Sequence, residues 1–227
     1  MRISSADNPI EHVFSESSPN VDESMFRILH TLRIKGLAND AAVSTATGLP
    51  LDAVVQTIND LESRGLASRR SGKLTGVTLT ARGHTTHVAM LAARTASPAT
   101  AGHTYVRFAE INTEFKHLCT TWQVRPDGQL NDHSEERYDR AILARLLDLH
   151  KRAIAIVAEL ATQDARLARY ITRLEAALDR VRAGDVTALV HPLSDSYHDI
   201  WMELHHDLRM TLVSSTSDGS LRLSGHQ

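Results

Sequence analysis

The sequence predicts a mainly α-helical protein in which three helices and a β-hairpin come first and only helices follow. Apolar residues recur at helical spacing over most of the chain, and this period changes over residues 66–80, where Val77 and Leu79 alternate with Thr78 and Thr80. The composition agrees with a globular protein, because 42% of the 227 residues are hydrophobic and 23% are charged.

The elements of the first part follow from short sequence signals. Residues 22–36 and 39–47 have the spacing of two helices, and each segment is followed closely by a glycine or ends in one. A third helix over 50–65 begins with a proline, which suits the first turn of a helix. The alternation over 66–80 predicts two short strands around a tight turn. This order predicts a winged helix-turn-helix over residues 22–94, with the hairpin as the wing.

The stretch ATGLPLDAVVQTINDLESRGLASRRSGKLTGVTLTARG resembles the core of MarR-type transcriptional regulators. In that family the recognition helix ends in L-x-x-x-G-L and the wing ends in L-T-x-x-G. The residues here that match these patterns are Leu61, Gly65, Leu66, Leu79, Thr80 and Gly83. The resemblance covers about residues 22–94. It implies operator binding to double-stranded DNA by a homodimer, with helices over 84–94 and 104–123 at the positions of the family's dimer helices.

The third helix and the wing carry the candidate DNA contacts. They are Leu51, Asp52, Gln56, Asn59, Arg69, Arg70 and Lys73. Gln and Asn can read adenine, and Arg and Lys neutralise phosphates. Residues 22–94 carry nine Lys and Arg against six Asp and Glu, whereas residues 95–227 carry fifteen against eighteen. The basic excess favours DNA, but Asp52, Asp60 and Glu62 make the third helix acidic, which favours the alternative of a winged helix that binds a protein partner.

The second part is predicted to be an all-helical domain over 103–213 that senses an effector and dimerises. Its helices are expected over 104–123, about 134–161, 165–183, a short turn before Pro192, and the last helix from 195 onward. The small residues, Pro and Gly of segment 95–103 predict a domain boundary. Residues 1–21 and 214–227 are expected to be flexible.

The last helix contains the stretch DSYHDIWMELHHDL, residues 195–208, which has three histidines and four acidic residues. At 100° per residue, Tyr197 and Trp201 share an apolar face, and His198 and His205 lie at its edge. The polar residues Asp199, Glu203, His206 and Asp207 fall on the opposite side. We therefore expect an amphipathic helix whose charges form mostly a solvated face.

The scarce aromatic residues, 4% of the chain, fall mainly in this second part. Tyr and Trp offer apolar bodies with polar tips, as the walls of ligand pockets do. The candidate ligand-binding residues are Trp122, His133, Tyr138, His150, Arg166, Tyr170, Arg173, Tyr197, His198, Trp201 and His205. The row Arg166, Arg169 and Arg173 indicates an anionic metabolite, for example an acyl-CoA, because Arg pairs with carboxylate or phosphate. The alternative is that these aromatics and histidines are ordinary core residues.

A metal site and an active site are weighed against the same residues. His198 and His205 stand about 10 Å apart along a helix and cannot bind one ion by themselves. Asp195 and His198 could bind an ion with help from elsewhere, such as His133 or His150. The Asp-x-x-x-His pair of zinc-binding GntR-type domains and the His-Glu-x-x-His motif are missing from the sequence. We expect no metal and no cofactor, and a metal-dependent sensor remains the alternative.

The single cysteine, Cys119, lies on an apolar helix face and is expected in the core, and no nucleophile elbow occurs, so we expect no enzymatic activity. One cysteine, no apolar signal core and no run of about 20 apolar residues predict a cytoplasmic protein that does not bind membranes. The interpretation is a homodimeric transcriptional regulator in which an effector changes the spacing of the two recognition helices.

Overall fold

The protein is mainly helical, as predicted, with one small antiparallel sheet in the part of the chain that the computed structural model describes, residues 21–94, 98–192 and 194–216. The first half contains α1 (Val21–Lys35), α2 (Asp40–Thr47), α3 (Leu51–Ser63), β1 (Ala67–Arg70), β2 (Gly76–Leu79) and α4 (Ala81–Ala92). The second half contains α5 (Pro98–Gln123), α6 (Glu136–Ala161), a 3-10 turn (Ala165–Leu167), α7 (Ala168–Arg182), α8 (Thr187–Val190) and α9 (Tyr197–Thr216). We call residues 21–92 the N-terminal unit and residues 98–216 the helical unit.

Local signals define the short helices of the N-terminal unit. The Asn39 side chain caps α2 by accepting a hydrogen bond from the Ala42 amide at 2.8 Å. Gly48 ends α2 in the left-handed conformation, with φ of 66°, which a residue with a side chain rarely adopts. Pro50 immediately precedes α3, as its fixed φ favours.

The hairpin has the predicted alternation, because Val77 and Leu79 of β2 are buried in the core of the N-terminal unit. Strands β1 and β2 pair antiparallel with Ala67 opposite Leu79 and Arg70 opposite Gly76. Ala38, in the connection between α1 and α2, forms an isolated bridge with Val77. Through this bridge, Ala38 pairs with the edge of β2 and attaches the hairpin to the connection between α1 and α2.

Two boundaries differ from the sequence prediction. Helix α4 begins at Ala81 rather than near 84, because Thr80 caps it by accepting a hydrogen bond from Gly83 N at 3.0 Å. Helix α5 begins at Pro98, so the predicted boundary segment 95–103 is helical from that residue onward, and 95–97 lie outside the described residues. The predicted flexible segments lie largely outside them too, except that Val21 belongs to α1 and α9 extends to Thr216.

Each unit has its own apolar core. The N-terminal core collects side chains from α1, α2, α3 and the hairpin, and the helical core collects side chains from α5 to α9. Trp201 lies in the helical core and stacks on Phe115 with ring centroids 4.3 Å apart. Its indole Nε1 donates to Asn112 Oδ1 at 2.9 Å, which satisfies the one polar atom of the ring.

The two units contact each other through α1 and α4, which pack against α9. This contact corrects the prediction for the last helix, because part of the face expected to be solvated is covered. Asp207 is fully buried and the Glu203 side chain is 12% exposed. Helical periodicity had placed these carboxylates away from the apolar face, but it could not show that a second basic surface covers them.

Candidate functional site

A buried polar cluster joins the two units, and we call it the polar junction. It consists of Arg166, Asp207, Tyr170, His30 and His87. Asp207 of α9 accepts hydrogen bonds from the Arg166 guanidinium and from the Tyr170 hydroxyl, the latter at 3.0 Å. His30 of α1 brings Nε2 to 3.0 Å from Asp207 Oδ1, and its Nδ1 lies 2.9 Å from His87 Nε2 of α4. The Asp207 carboxylate of α9 is therefore contacted by side chains from α1, α7 and the 3-10 turn before α7, and α4 joins the cluster through His87.

The electrostatics of the polar junction are strongly perturbed. Burial raises the pKa of Asp207, but the charges of Arg166 and His30 outweigh burial and hold that pKa below its ordinary value. Burial also opposes the charge of Arg166, but Asp207 and Asp164 more than compensate and raise its pKa. Burial and the nearby His30 and Arg33 lower the pKa of His87 to about 3, so His87 is neutral at pH 7.

A second ionic cluster lies beside the polar junction and also spans the units. Lys35 at the end of α1 binds Glu203 at 2.5 Å and Asp195 at 3.5 Å. Arg173 of α7 binds the same carboxylates at 2.7 Å and 3.0 Å. These contacts fix α1, α7 and α9 relative to one another. Arg166 and Arg173, both predicted to bind a ligand, are thus engaged by carboxylates of the chain.

Beside the packing contact of α1 and α4 with α9 lies an open cleft of about 1320 Å³, which is lined by the hairpin loop, α1 and α4 on one side and by α9 on the other. Its apolar wall comprises Ile34, Leu37, Ala38, Ala42, Leu74, Val88, Leu91, Met202, Met210 and Val213. Its cationic side chains are Arg33, Lys35, Lys73, Lys116 and Arg209, of which only Lys35 is ion-paired to a described residue. An apolar wall beside cations that lack carboxylate partners suits a ligand that is both apolar and anionic.

Histidines line the α9 side of this cleft. His198, His205 and His206 contribute to its wall, and the first two belong to the predicted ligand set. His205 Nε2 lies 3.3 Å from the Tyr105 hydroxyl. Burial and the positive charge of Arg209 lower the pKa values of both His205 and His206. These two imidazoles therefore favour the neutral form, and the fixed positive charge of the cleft comes from Lys and Arg.

The structure does not bring the predicted ligand residues into one pocket. Tyr197 and Trp201 are fully buried in the helical core behind the cleft. His150 lies near them and approaches the Tyr197 hydroxyl at 3.1 Å. Arg166, Tyr170 and Arg173 line a separate small cavity at the junction of the units. The core interpretation of the aromatic residues therefore fits Tyr197 and Trp201.

A third group of predicted ligand residues lies where α5 meets the start of α6. The rings of Trp122 and His133 are 4.4 Å apart, and His133 Nδ1 lies 2.9 Å from Asp139 Oδ2. The Tyr138 hydroxyl donates to the Thr121 carbonyl at 2.9 Å. These contacts hold the connection between α5 and α6 against the ends of the two helices, so the three residues stabilise the fold at this point.

The predicted DNA contacts lie on two neighbouring surfaces of the N-terminal unit. All of them are exposed, namely Leu51, Asp52, Gln56 and Asn59 on α3 and Arg69, Arg70 and Lys73 in the hairpin. Arg69 differs from the others, because its guanidinium pairs with Asp40 at 2.9 Å and with Glu62 at 2.9 Å. Its positive charge is thus largely compensated within the chain.

Sequence reasoning missed His30, His87, Asp207 and Arg209 as site residues. His30 occupies an inward position of α1 and His87 an inward position of α4, and both are under 5% exposed. A histidine at a core position of two separate helices was the available signal. Nothing in the local pattern showed that the two rings and a distant carboxylate would meet.

Other candidate chemistry is limited in the described residues. Cys119 is 7% exposed in the helical core, as predicted, and burial raises the pKa of its thiol to about 12. Among the residues described, no group of three or more His, Cys, Asp or Glu is arranged to hold a metal ion. In the same residues, no helix combines the length and apolarity required to cross a membrane. The chain matches no known family model, no curated protein and no solved structure.

Proposed function

We propose that the protein is a DNA-binding transcriptional regulator, with the N-terminal unit as a winged helix-turn-helix and the cleft as the site of a small anionic effector. The observation that supports this most is the combination of an exposed face on α3 with a basic hairpin whose first strand packs against α3. A helix presented next to a basic wing is the arrangement that reads a major groove and grips the adjacent backbone.

The roles of the side chains in this proposal follow from their chemistry. Gln56 and Asn59 read adenine edges in the major groove, and Asp52 accepts from the amino group of cytosine. Arg70 and Lys73, which are exposed and have no ion-pair partner among the described residues, neutralise phosphates. Arg69 orders the α2–α3 surface through Asp40 and does not act as a phosphate ligand.

The effector role of the cleft rests on its position as well as its lining. Lys73, Leu74 and Thr75 of the hairpin loop form one wall, while α9 forms the opposite wall. A ligand that contacts both walls binds one arrangement of the two units better than another. It therefore shifts the population of wing positions, and DNA affinity changes with it. An acyl-CoA fits this chemistry, because an acyl chain meets the apolar wall and phosphates meet Arg33, Lys116 and Arg209.

DNA binding is tested by titrating the full-length protein against a genomic fragment library and then measuring the selected fragment at several salt concentrations. The double variant Arg70→Ala, Lys73→Ala should bind every fragment more weakly. Its plot of log affinity against log salt should be shallower by about 1.8, which is about 0.9 for each lost phosphate contact. The control Arg137→Ala, Arg140→Ala removes two exposed charges from α6 and should leave the slope unchanged. Binding to no fragment at low salt would overturn the proposal.

Effector binding is tested by calorimetry with octanoyl-CoA and with octanoate. The variant Lys116→Ala, Arg209→Ala should reduce affinity for octanoyl-CoA at least tenfold. Equal heats for the variant and the parent protein would exclude the cleft as the acyl-CoA site.

Because the proposed regulator is a homodimer, light scattering should give twice the chain mass of 25.0 kDa.

A second candidate function is a winged-helix module that binds a protein partner. The ion pairs of Arg69 with Asp40 and Glu62 favour this function, because carboxylates on a DNA-binding surface repel phosphates and neutralise the arginine. This candidate predicts no salt-dependent DNA affinity and no difference between the hairpin variant and its control. The same salt titration therefore separates the two functions.

A further inference from the structure

A small cavity of about 30 Å³ lies between α1, α2, α7 and α9, at the junction of the two units. Its lining contains four guanidinium groups against two carboxylates. The charged lining residues are Arg27, Arg166, Arg169, Arg173, Glu203 and Asp207. It shares only Ile34 and Glu203 with the large cleft described above.

Three of the four arginines have carboxylate partners inside the chain. Arg27 pairs with Glu23, Arg166 with Asp164 and Asp207, and Arg173 with Asp195 and Glu203. Arg169 has none among the described residues, and its one hydrogen bond is a long one, 3.5 Å from Nη2 to the Thr45 carbonyl. Arg169 is thus the one arginine of this cavity that has no counter-charge within the part of the chain that the structure describes.

The surroundings of Arg169 make its positive charge energetically unfavourable. Burial and the positive charges of Arg173 and Arg27 lower the pKa of Arg169 to about 10, so it stays protonated at pH 7. A partly desolvated cation beside other cations is unfavourable unless an anion approaches it. A mobile anion in the cavity removes that penalty.

We propose that the cavity binds the carboxylate group of a small organic acid, held by Arg169. One water-sized group needs about 10–15 Å³ of cavity volume, so this cavity has room for roughly two such groups. This number matches the two oxygens of one carboxylate. A guanidinium donates to both oxygens of a carboxylate at once. Phosphate carries four oxygens in a tetrahedral arrangement and fits this space less well than a carboxylate does, so acetate is expected to bind more tightly than phosphate.

The position of Arg169 connects this site to α3. A Cβ atom built on Gly48 would lie 3.5 Å from Arg169 Nε, so the guanidinium packs against the turn between α2 and α3. An anion on Arg169 therefore ties that turn to α7 of the helical unit. Anion binding here does not require the protein to bind DNA, and it is measured on the protein alone.

The test measures chemical unfolding of the full-length protein in Hepes buffer with added sodium acetate, sodium chloride or sodium phosphate at equal ionic strength. Acetate should stabilise the protein saturably and more than phosphate does. The variant Arg169→Gln should lose this response, with at least a tenfold weaker apparent affinity for acetate. Arg145→Gln, on the exposed face of α6, should respond as the parent protein does.

Two further outcomes make the test specific to the missing counter-charge. Without acetate, Arg169→Gln should be at least as stable as the parent protein, since it removes a cation that lacks a partner, and with acetate the order should reverse. The carboxyl resonance of ¹³C-labelled acetate should broaden saturably with the parent protein, a measurement that needs no variant. Equal responses to acetate and phosphate, or no saturable broadening, would overturn the proposal.

Discussion

Arg166 and Asp207 form a buried ion pair that joins the 3-10 turn before α7 to α9, and the Arg166 side chain is 8% exposed while Asp207 is fully enclosed. The pair also receives His30 from the N-terminal unit. Both partners belong to the helical unit and 41 residues separate them along the chain, so the pair forms only when α9 packs against the turn that precedes α7. It is therefore a part of the interface between the units as well as of the helical core.

The first prediction is that Asp207→Asn lowers the free energy of unfolding by about 3–5 kcal/mol, because it leaves the buried Arg166 charge without its main partner. Urea denaturation followed by circular dichroism measures this. The control Glu159→Gln breaks the exposed pair with Arg107, whose atoms lie 2.5 Å apart, and should cost less than about 1 kcal/mol. Equal losses in the two variants would show that the buried pair contributes no more than a surface pair.

The second prediction concerns pH. His87 has a pKa of about 3 in the folded chain, against about 6.5 when unfolded. Between these two pH values the unfolded state binds a proton that the folded state does not. The contribution of His87 to the free energy of unfolding is therefore fully present above pH 6.5 and is lost as the pH falls toward 3. His30, Arg33, Arg166 and Asp207 face this ring from the neighbouring elements. The contribution of His87 is at most about 1.4 kcal/mol per pH unit.

The variant His87→Gln should therefore show a smaller loss of stability between pH 6.5 and 4.5 than the parent protein. The loss does not vanish, because His84, His150, His205 and His206 also have lowered pKa values. His117→Gln, at an exposed position of α5, should retain the full dependence. An unchanged slope in His87→Gln would contradict the assignment of this proton to His87.

The third prediction is that Gly83→Ala destabilises the N-terminal unit by about 1–3 kcal/mol, although Ala normally favours a helix over Gly. A Cβ atom at Gly83 would lie 1.9 Å from the Leu66 carbonyl oxygen, so α4 or the hairpin must move. Thermal unfolding measures the change. At Gly102 of α5 the nearest atom is 3.9 Å away, so Gly102→Ala should instead stabilise by about 0.5–1 kcal/mol. Stabilisation by both variants would refute the close approach.

The fourth prediction depends on the proposed DNA binding. Asp40→Asn removes one of the two carboxylates that pair with Arg69 and leaves only Glu62, so the Nη1 side of the guanidinium becomes available to phosphate. Affinity for any duplex should rise several-fold, and the salt dependence should steepen by about 0.9. Asp148→Asn makes the same charge change on an exposed position of α6 and should alter neither quantity. Weaker binding by Asp40→Asn would show that the Asp40–Arg69 pair itself shapes the DNA-binding surface.

The sequence by itself determined the elements and the inward face of each. Helical spacing predicted the helices, alternation predicted that Val77 and Leu79 of the hairpin are buried, and the apolar face of α9 predicted Tyr197 and Trp201 as inward residues. These features are readable because each depends on residues within a few positions of one another. The start of α5 at Pro98 was missed, since the small residues before 104 carry no apolar periodicity.

Only the tertiary structure decided what covers each polar face. Asp207 and Glu203 were expected in solvent and are instead covered by α1, α7 and the 3-10 turn before α7, whose basic residues neutralise them. The residues proposed as one ligand pocket divide among the cleft, the small cavity, the core and the start of α6. The physical reason is that periodicity fixes the direction of a side chain relative to its own helix, whereas burial of a charge depends on a counter-charge that arrives from a distant part of the chain.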